Sequence, residues 1–428
     1  VVFWGISQPA MKYIEDQRVG LEPIEKSTRY VNFGAKIGGK YLYYVPKPDL
    51  ERLGALDKYV ALMDRLFDAY ISLRPKFFEW LKKNYDEKEM VLEKKSFDTL
   101  RGLLPAATLG QVAFRGNGQA LEYLVNRSIK HGLGELRWIA AALKEELDKE
   151  IPSLLLRVSD QKSGEYQSYL RERRRRMRGF AKKSENGFAV AESVTKPEVR
   201  LVEYDSSGED KIIAALIWPE THLSWDTVLG KVRQYPIEKK EEILLLHFEG
   251  RTERWHKVGR PLENSYMRFE IVMNIGAYRD LHRHRMLTQD RQFFSVHHGY
   301  DVPADIVEAG LTEPFREALD SVRDLFLELE SSDLELAQYA VPLAYRMRFY
   351  QWENVREFFW ETELRTISQG HPDYRFIEQE KHRLAAPKFP LISKFSRIDV
   401  KDYKFARRGT EEVIKKKEED IVSKLKKQ

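Results

Sequence analysis

The spacing of apolar positions divides the chain into strand-like and helix-like stretches. Residues 267–273 (MRFEIVM) place apolar side chains at every second position, the pattern of a half-buried strand. Asn274 follows as a candidate N-cap. Ile275, Tyr278, Leu281 and His282 then recur at helical spacing. This predicts a helix of about three turns with Arg283-His284-Arg285 at its far end. Over residues 53–85 the apolar positions Leu56, Tyr59, Val60, Met63, Phe67, Tyr70 and Ile71 share one face, so a long amphipathic helix is expected. Further helices are expected at 120–124, 135–147, 210–218, 311–330 and 355–364. Strands are expected at 41–48 (YLYYVPKP), closed by prolines, and at 199–204 (VRLVEY).

The pattern repeats. Leu104-Pro105 is followed by Asn117 at the same distance as Val341-Pro342 by Asn354. Each asparagine precedes an acidic-apolar-Arg triplet, Glu135-Leu136-Arg137 or Asp373-Tyr374-Arg375, and Pro152 and Pro387 close the two copies. Two diverged copies of one domain are expected, the first shortened at its start. The strand-like and helix-like stretches together give an expected α+β fold class in two tandem domains. Residues 1–160 form the first, 161–198 a basic linker, 199–406 the second, and 407–428 a charged helical tail with ion pairs at helical spacing.

Composition narrows the chemistry. With 428 residues, two domains are the natural expectation. Charged residues make up 32% yet the net charge is only +5, so no large nucleic-acid footprint is required and nucleic acid is not expected as a partner. The chain has no cysteine, which excludes a disulfide framework, a thiolate metal site and a cysteine nucleophile. No apolar run approaches membrane-spanning length, so a soluble, cytoplasmic protein is expected. His297-His298, with His282 and His284, lack the carboxylate spacing that would complete a metal site, and none is expected.

Three adjacent cationic or switchable side chains near a helix end suit a polyanion. Arg283-His284-Arg285 after a strand and helix, preceded by Pro261-Leu262-Glu263-Asn264, resembles the RHR-x7-S signature of the flavin-dependent thymidylate synthase (ThyX) family. Asn354-Val355-Arg356 with Arg365 resembles that family's N-x-R and C-terminal arginine. The resemblance spans most of both halves and implies two tandem ThyX-like domains, each a small antiparallel sheet with a helical bundle. It implies reductive methylation of dUMP to dTMP with FAD as cofactor and with NADPH and methylenetetrahydrofolate as co-substrates. Such chemistry needs no enzyme thiolate, which agrees with the absence of cysteine.

The same resemblance implies roles. Arg283, His284 and Arg285 would hold the flavin and the neighbouring substrate, and Glu263, Asn354, Arg356 and Asn117 would support FAD. Glu25, Ser27, Arg29 and Arg101 would bind dUMP, with Ser27 and Arg365 at the reacting pyrimidine. The copies depart from the family in complementary ways. The second has Phe293 at the signature serine, Ser295 and Arg291 nearby, Gln338 at the upstream arginine and Val258 at a flavin-site histidine. The first keeps Glu25, Ser27, Arg29, Tyr30, Arg101 and Asn117 but has Gln17-Arg18-Val19 for the triplet and Gln119 for the N-x-R arginine, and its C-terminal arginine is shifted to Arg127 or lost. Composite sites in a homodimer acting as a pseudo-tetramer are therefore expected.

Plainer readings stand beside these. A basic triplet at a helix end can simply compensate the helix dipole. Arg365 can pair with Glu361, Asn117 and Asn354 can be caps, and Ser27 and Arg29 can be a turn and a surface charge. The run 171–178 (RERRRRMR) can be a solvated linker or a nucleic-acid contact. A ThyX relative that binds flavin or nucleotide, or serves as a scaffold, without catalysis is the main alternative for the whole chain.

Overall fold

A computed structural model describes residues 1–25, 31–183 and 194–405. The chain forms two compact units. The first comprises 1–196, 274–285 and 292–347, and the second comprises 197–273, 286–291 and 348–428.

The first unit opens with strand β1 (Val2–Ile6) and helix α1 (Gln8–Glu15), which is capped by the Ser7 hydroxyl accepting from the Ala10 amide. Strand β2 (Leu21–Glu25) and strand β3 (Gly110–Gly116) complete an antiparallel sheet of order β1-β3-β2. Between them runs α2 (Leu56–Asn84), whose buried residues Tyr59, Leu62, Met63, Leu66, Phe67, Tyr70, Leu73, Phe77 and Leu81 recur every three or four positions. Burying one such large side chain is worth about 1.5–3 kcal/mol, so this stripe anchors the unit's core. Helices α3 (Gly118–Ser128), α4 (Gly134–Glu150) and α5 (Gln161–Lys183) follow. The unit also holds α6 (Ile275–Leu281) and helices at Thr312–Asp320 and Arg323–Ser332.

The repeat seen in the sequence becomes a pseudo-twofold crossing inside this unit. Ala106 donates its amide to Val341 O at 2.8 Å, and Leu343 donates to Leu104 O at 3.0 Å. Ala107 donates to Tyr339 O at 3.0 Å and Ala344 to Gly102 O at 2.9 Å. Exchanging the two Pro-containing segments maps each bond onto its counterpart, and Pro105 and Pro342 meet as an antiparallel bridge. These backbone groups are buried, and each finds its partner in the other copy.

The second unit is built on strands β4 (Glu198–Tyr204), β5 (Tyr266–Asn274), β6 (Thr288–Arg291) and β7 (Arg346–Asn354), in the order β4-β5-β7-β6. Helices α7 (Val355–Arg365) and α8 (Pro372–Ala385) pack with it. Stacked rings of Phe248 with Phe395 (4.4 Å) and with Phe359 (6.4 Å) build its core.

The expected caps form. The Asn117 side chain accepts from the Ala120 amide at 2.8 Å and Asn354 from the Glu357 amide at 2.9 Å, so equivalent asparagines start equivalent helices in the two copies. Replacing Asn354 with alanine is expected to lower stability by about 1 kcal/mol, read as a shift in the denaturant midpoint.

Three sequence expectations need correction. Residues 41–48 are not a strand: Tyr43 makes an isolated bridge with Thr108, and Tyr41 stacks on Phe67 at 4.9 Å. Aromatic packing onto α2, rather than a ladder, accounts for the apolar run. The helix expected at 311–330 is two helices, parted at Ser321 and Val322. The run 171–178 lies on α5 rather than in an open connector. α5 is docked by Gln167, whose amide donates to Asn126 Oδ1 and Val158 O, and by Lys130, which donates to Gly164 O. The tail 407–428 falls outside the described residues, as do Ser27 and Arg29.

Candidate functional site

In the first unit the Asn274 side chain caps α6 by accepting from the Ala277 amide at 2.9 Å. The helix is seven residues long rather than three turns, and its C-cap is His282. The triplet 283–285 therefore lies in the turn beyond it. His284 is buried, and its amide donates to Leu281 O at 3.0 Å. Arg283 pairs with Asp280, and Arg285 donates to Leu21 O at 2.6 Å. Their side chains remain 35% and 33% exposed. Counted from the caps Ser7 and Asn274, the first copy's equivalent of the triplet is Asp16-Gln17-Arg18, one residue earlier than its spelling suggests. Gln17 there donates to Ala120 O at 2.6 Å.

Beneath this turn lies a buried charge network that the sequence did not reveal. Lys12 meets Glu15 at 2.5 Å and Glu25 at 3.2 Å, and Glu25 also pairs with Arg279. His282 bridges Glu15 Oε2 at 3.1 Å and Asp16 Oδ1 at 2.8 Å. Burial alone would raise the Glu15 carboxyl, but the Lys12 ammonium and the hydrogen bond to His282 outweigh it and hold it down at about 2. Glu25, expected to bind substrate, has its carboxylate engaged by two buried cations. Lys12 and Arg279 occupy equivalent places in α1 and α6, counted from the caps Ser7 and Asn274, and both reach Glu25. Only that correspondence could have singled them out.

Arg101 is also buried, with Nε 3.1 Å from Asp98 at the turn leading into the crossing. Gln338, its counterpart in the second copy, accepts the Phe294 amide at 3.2 Å. The Phe293 ring, at the signature serine, is covered by the Arg178 guanidinium 5.0 Å from its centroid.

In the second unit Arg356 pairs with Glu263 at 2.5 Å beside the Asn354 cap, so the structure brings these three residues together. Arg365 ends α7 with its guanidinium 5.8 Å from the Tyr374 ring centroid. Glu361, the plain ion-pair partner considered for it, accepts from Gln351 at 2.9 Å and Lys381 at 3.0 Å. Lys381 is also 2.8 Å from Glu353 and 3.3 Å from Glu378, and all four charged side chains are fully buried. Burial and the neighbouring Glu361 carboxylate push the Glu378 carboxyl up to about 8, despite the opposing pull of Lys381. Sequence reasoning missed this cluster because a lysine three residues from a glutamate on a helix reads as a surface pair.

Among the described residues no group of three or more His, Asp or Glu side chains is arranged to hold a metal ion. No helix among them is long and apolar enough to cross a membrane.

Comparison with known proteins follows the same repeat. The chain is 35% identical over 420 residues to a UPF0159 protein of Chlamydia pneumoniae, covering 95% of this chain and 78% of that one. It is 31% identical over 446 residues to a UPF0159 protein of Thermoplasma acidophilum, covering 95% and 86%. A solved UMP/dUMP methylase, PolB from Streptomyces cacaoi bound with 5-Br dUMP, aligns at 16% identity with a TM-score of 0.36, covering 48% of this chain and 96% of that one. The family model described as thymidylate synthase complementing protein matches residues 2–153 and again residues 200–391. With a match in each half, the chain belongs to this Thy1 family, the flavin-dependent thymidylate synthase family.

Proposed function

We propose that the protein is a flavin-dependent enzyme that methylates dUMP to dTMP, using methylenetetrahydrofolate and NADPH as co-substrates. The observation that carries this reading, beside family membership, is the pair of part-exposed guanidiniums of Arg283 and Arg285 flanking buried His284. Arg283 Nε is buried with no hydrogen-bond acceptor among the described residues, so beside the donor paired with Asp280 the turn holds a spare donor. This donor set fits the diphosphate of FAD.

When bound, FAD supplies the hydride that reduces the transferred one-carbon group. The chain's own residues orient and neutralise. Arg283 and Arg285 hold phosphate oxygens. Arg356, 37% exposed and paired with Glu263 in the first turn of α7, is a further cationic donor for the flavin. Asn117 and Asn354 act through the helices they cap. Arg365 stabilises negative charge developing on the uracil ring, a role no cysteine is present to share. Ser27, Arg29 and Arg101 are the residues we assign to dUMP, and the working form is a homodimer.

A second reading, flavin binding without methylation, is favoured by Phe293 at the serine position and by the engagement of Glu25 with Lys12 and Arg279.

The visible spectrum of the purified chain tests the flavin claim. Added FAD is expected to bind with a perturbed flavin band, and Arg283→Ala is expected to weaken binding about tenfold or more, a loss of about 1.4 kcal/mol or greater. An unperturbed free-flavin spectrum would contradict both readings.

A further inference from the structure

Helix α5 carries an arginine run that the proposed reaction does not use. Its docked face holds buried Gln167 and, further along, Arg174 and Arg178, while Arg175 points outward at 77% exposure and pairs with Glu172. Arg174 and Arg178 reach the same carboxylate, Glu335, with Nη atoms 3.8 Å and 2.6 Å from Oε1. The Arg174 guanidinium also lies 5.6 Å from the Tyr13 ring centroid, and Arg127, from the end of α3, lies 4.2 Å from that centroid. Arg137 donates to the carbonyls of His131 and Gly132.

Four guanidiniums thus surround buried His131, and among the described residues the carboxylate they touch is Glu335. Asp16, which also acts on Tyr13, is bonded to His282. Burial, then Arg174, Arg127, Arg178 and Arg137 in turn, press the His131 imidazole down to about 3, so it is neutral.

A neutral imidazole has one acceptor nitrogen. Both ring nitrogens of His131 nevertheless face donors: Nδ1 is 3.1 Å from the Leu133 amide and Nε2 is 2.7 Å from Arg174 Nη1. In either tautomer a ring N–H points at another hydrogen. Glu335 Oε2, 3.9 Å from Nδ1, is too far to accept it. Arg127 Nε is buried with no acceptor among the described residues. The cluster therefore has surplus positive charge and surplus donors together, and a single anion relieves both.

We propose that Arg127, Arg174 and Arg178, around His131, form a binding site for a phosphate dianion, free or carried as a phosphomonoester. Arg174, 49% exposed, is the entry point, and Arg178, held on Glu335, is the fixed donor. The site uses none of the residues assigned to flavin, so its test is independent of that reading.

Isothermal titration of the full chain with inorganic phosphate, dUMP and a short single-stranded DNA separates the sources. Thermal melts with and without phosphate provide the second readout. Phosphate is expected to bind and to raise the melting temperature. Arg174→Ala is expected to weaken phosphate binding about tenfold or more. Because it removes one of four crowded cations, this variant is also expected to melt no lower than the parent in phosphate-free buffer. Arg175→Ala is expected to bind phosphate as the parent does. If dUMP binds with the same Arg174 dependence, the natural ligand is a phosphomonoester; if only inorganic phosphate does, it is the free ion. Three results would overturn the proposal: no phosphate binding, equal weakening by the two variants, or binding of the oligonucleotide alone.

Discussion

Replacing Lys381 with methionine is expected to destabilise the second unit by about 3–5 kcal/mol, the usual cost of removing one partner from a buried charge cluster. Lys381 lies within 3.3 Å of Glu353, Glu361 and Glu378, and it also donates to Gln351 Oε1 at 2.8 Å. Without it, buried carboxyls must take up protons or stay charged without a counterion. Glu378→Gln makes the contrast. Its carboxyl is held up at about 8 and so already carries a proton near neutrality, and an amide replaces it there at a cost of about 1 kcal/mol or less. Denaturant unfolding of both variants at pH 7 checks the pair, and equal losses would contradict this assignment of charge.

The sign of the pH dependence follows. A carboxyl whose folded pKa stands above its unfolded value binds more protons in the native state. Its stabilising contribution is fully present below pH 4.5 and is lost as the pH rises toward 8. In the first unit Glu15 acts in the opposite direction. Its folded value near 2 lies below 4.5, so its contribution is present above pH 4.5 and is lost as the pH falls toward 2. Unfolding midpoints followed from pH 2 to pH 9 are expected to decline toward both ends, with Lys381→Met steepening the alkaline decline because the ammonium that opposes the rise of the Glu378 carboxyl is gone.

Glu25→Gln is expected to have the second large effect, a loss of about 3 kcal/mol or more in the first unit. Removing this carboxylate leaves Lys12 and Arg279 buried with less compensation. If Glu25 instead served substrate alone, the variant would keep its unfolding midpoint and change only dUMP affinity. Measuring stability and dUMP binding on the same sample separates the two.

These expectations also mark where sequence reading stops. The duplication was legible because prolines and capping asparagines work through local backbone chemistry: Pro105 and Pro342 sit at the crossing, and Asn117 and Asn354 start equivalent helices. Asn274 was legible as a cap for the same reason. The length of α6 was not, since His282 fits the helical period yet is drawn out by Glu15 and Asp16. Lys12, Arg279 and Lys381 escaped notice because a charged residue at helical spacing looks solvated unless its distant partners are known. Arg174 and Arg178 were readable only as a basic run, because the Glu335 that receives them is remote in sequence.

The central claim is flavin-dependent methylation of dUMP by this duplicated Thy1-family chain, and anaerobic single-turnover oxidation of the reduced, FAD-loaded protein tests it most directly. With dUMP and methylenetetrahydrofolate present together, the account predicts reappearance of the oxidised flavin band and one dTMP formed per flavin reoxidised. Flavin that stays reduced with both substrates present, with no dTMP formed, would contradict it.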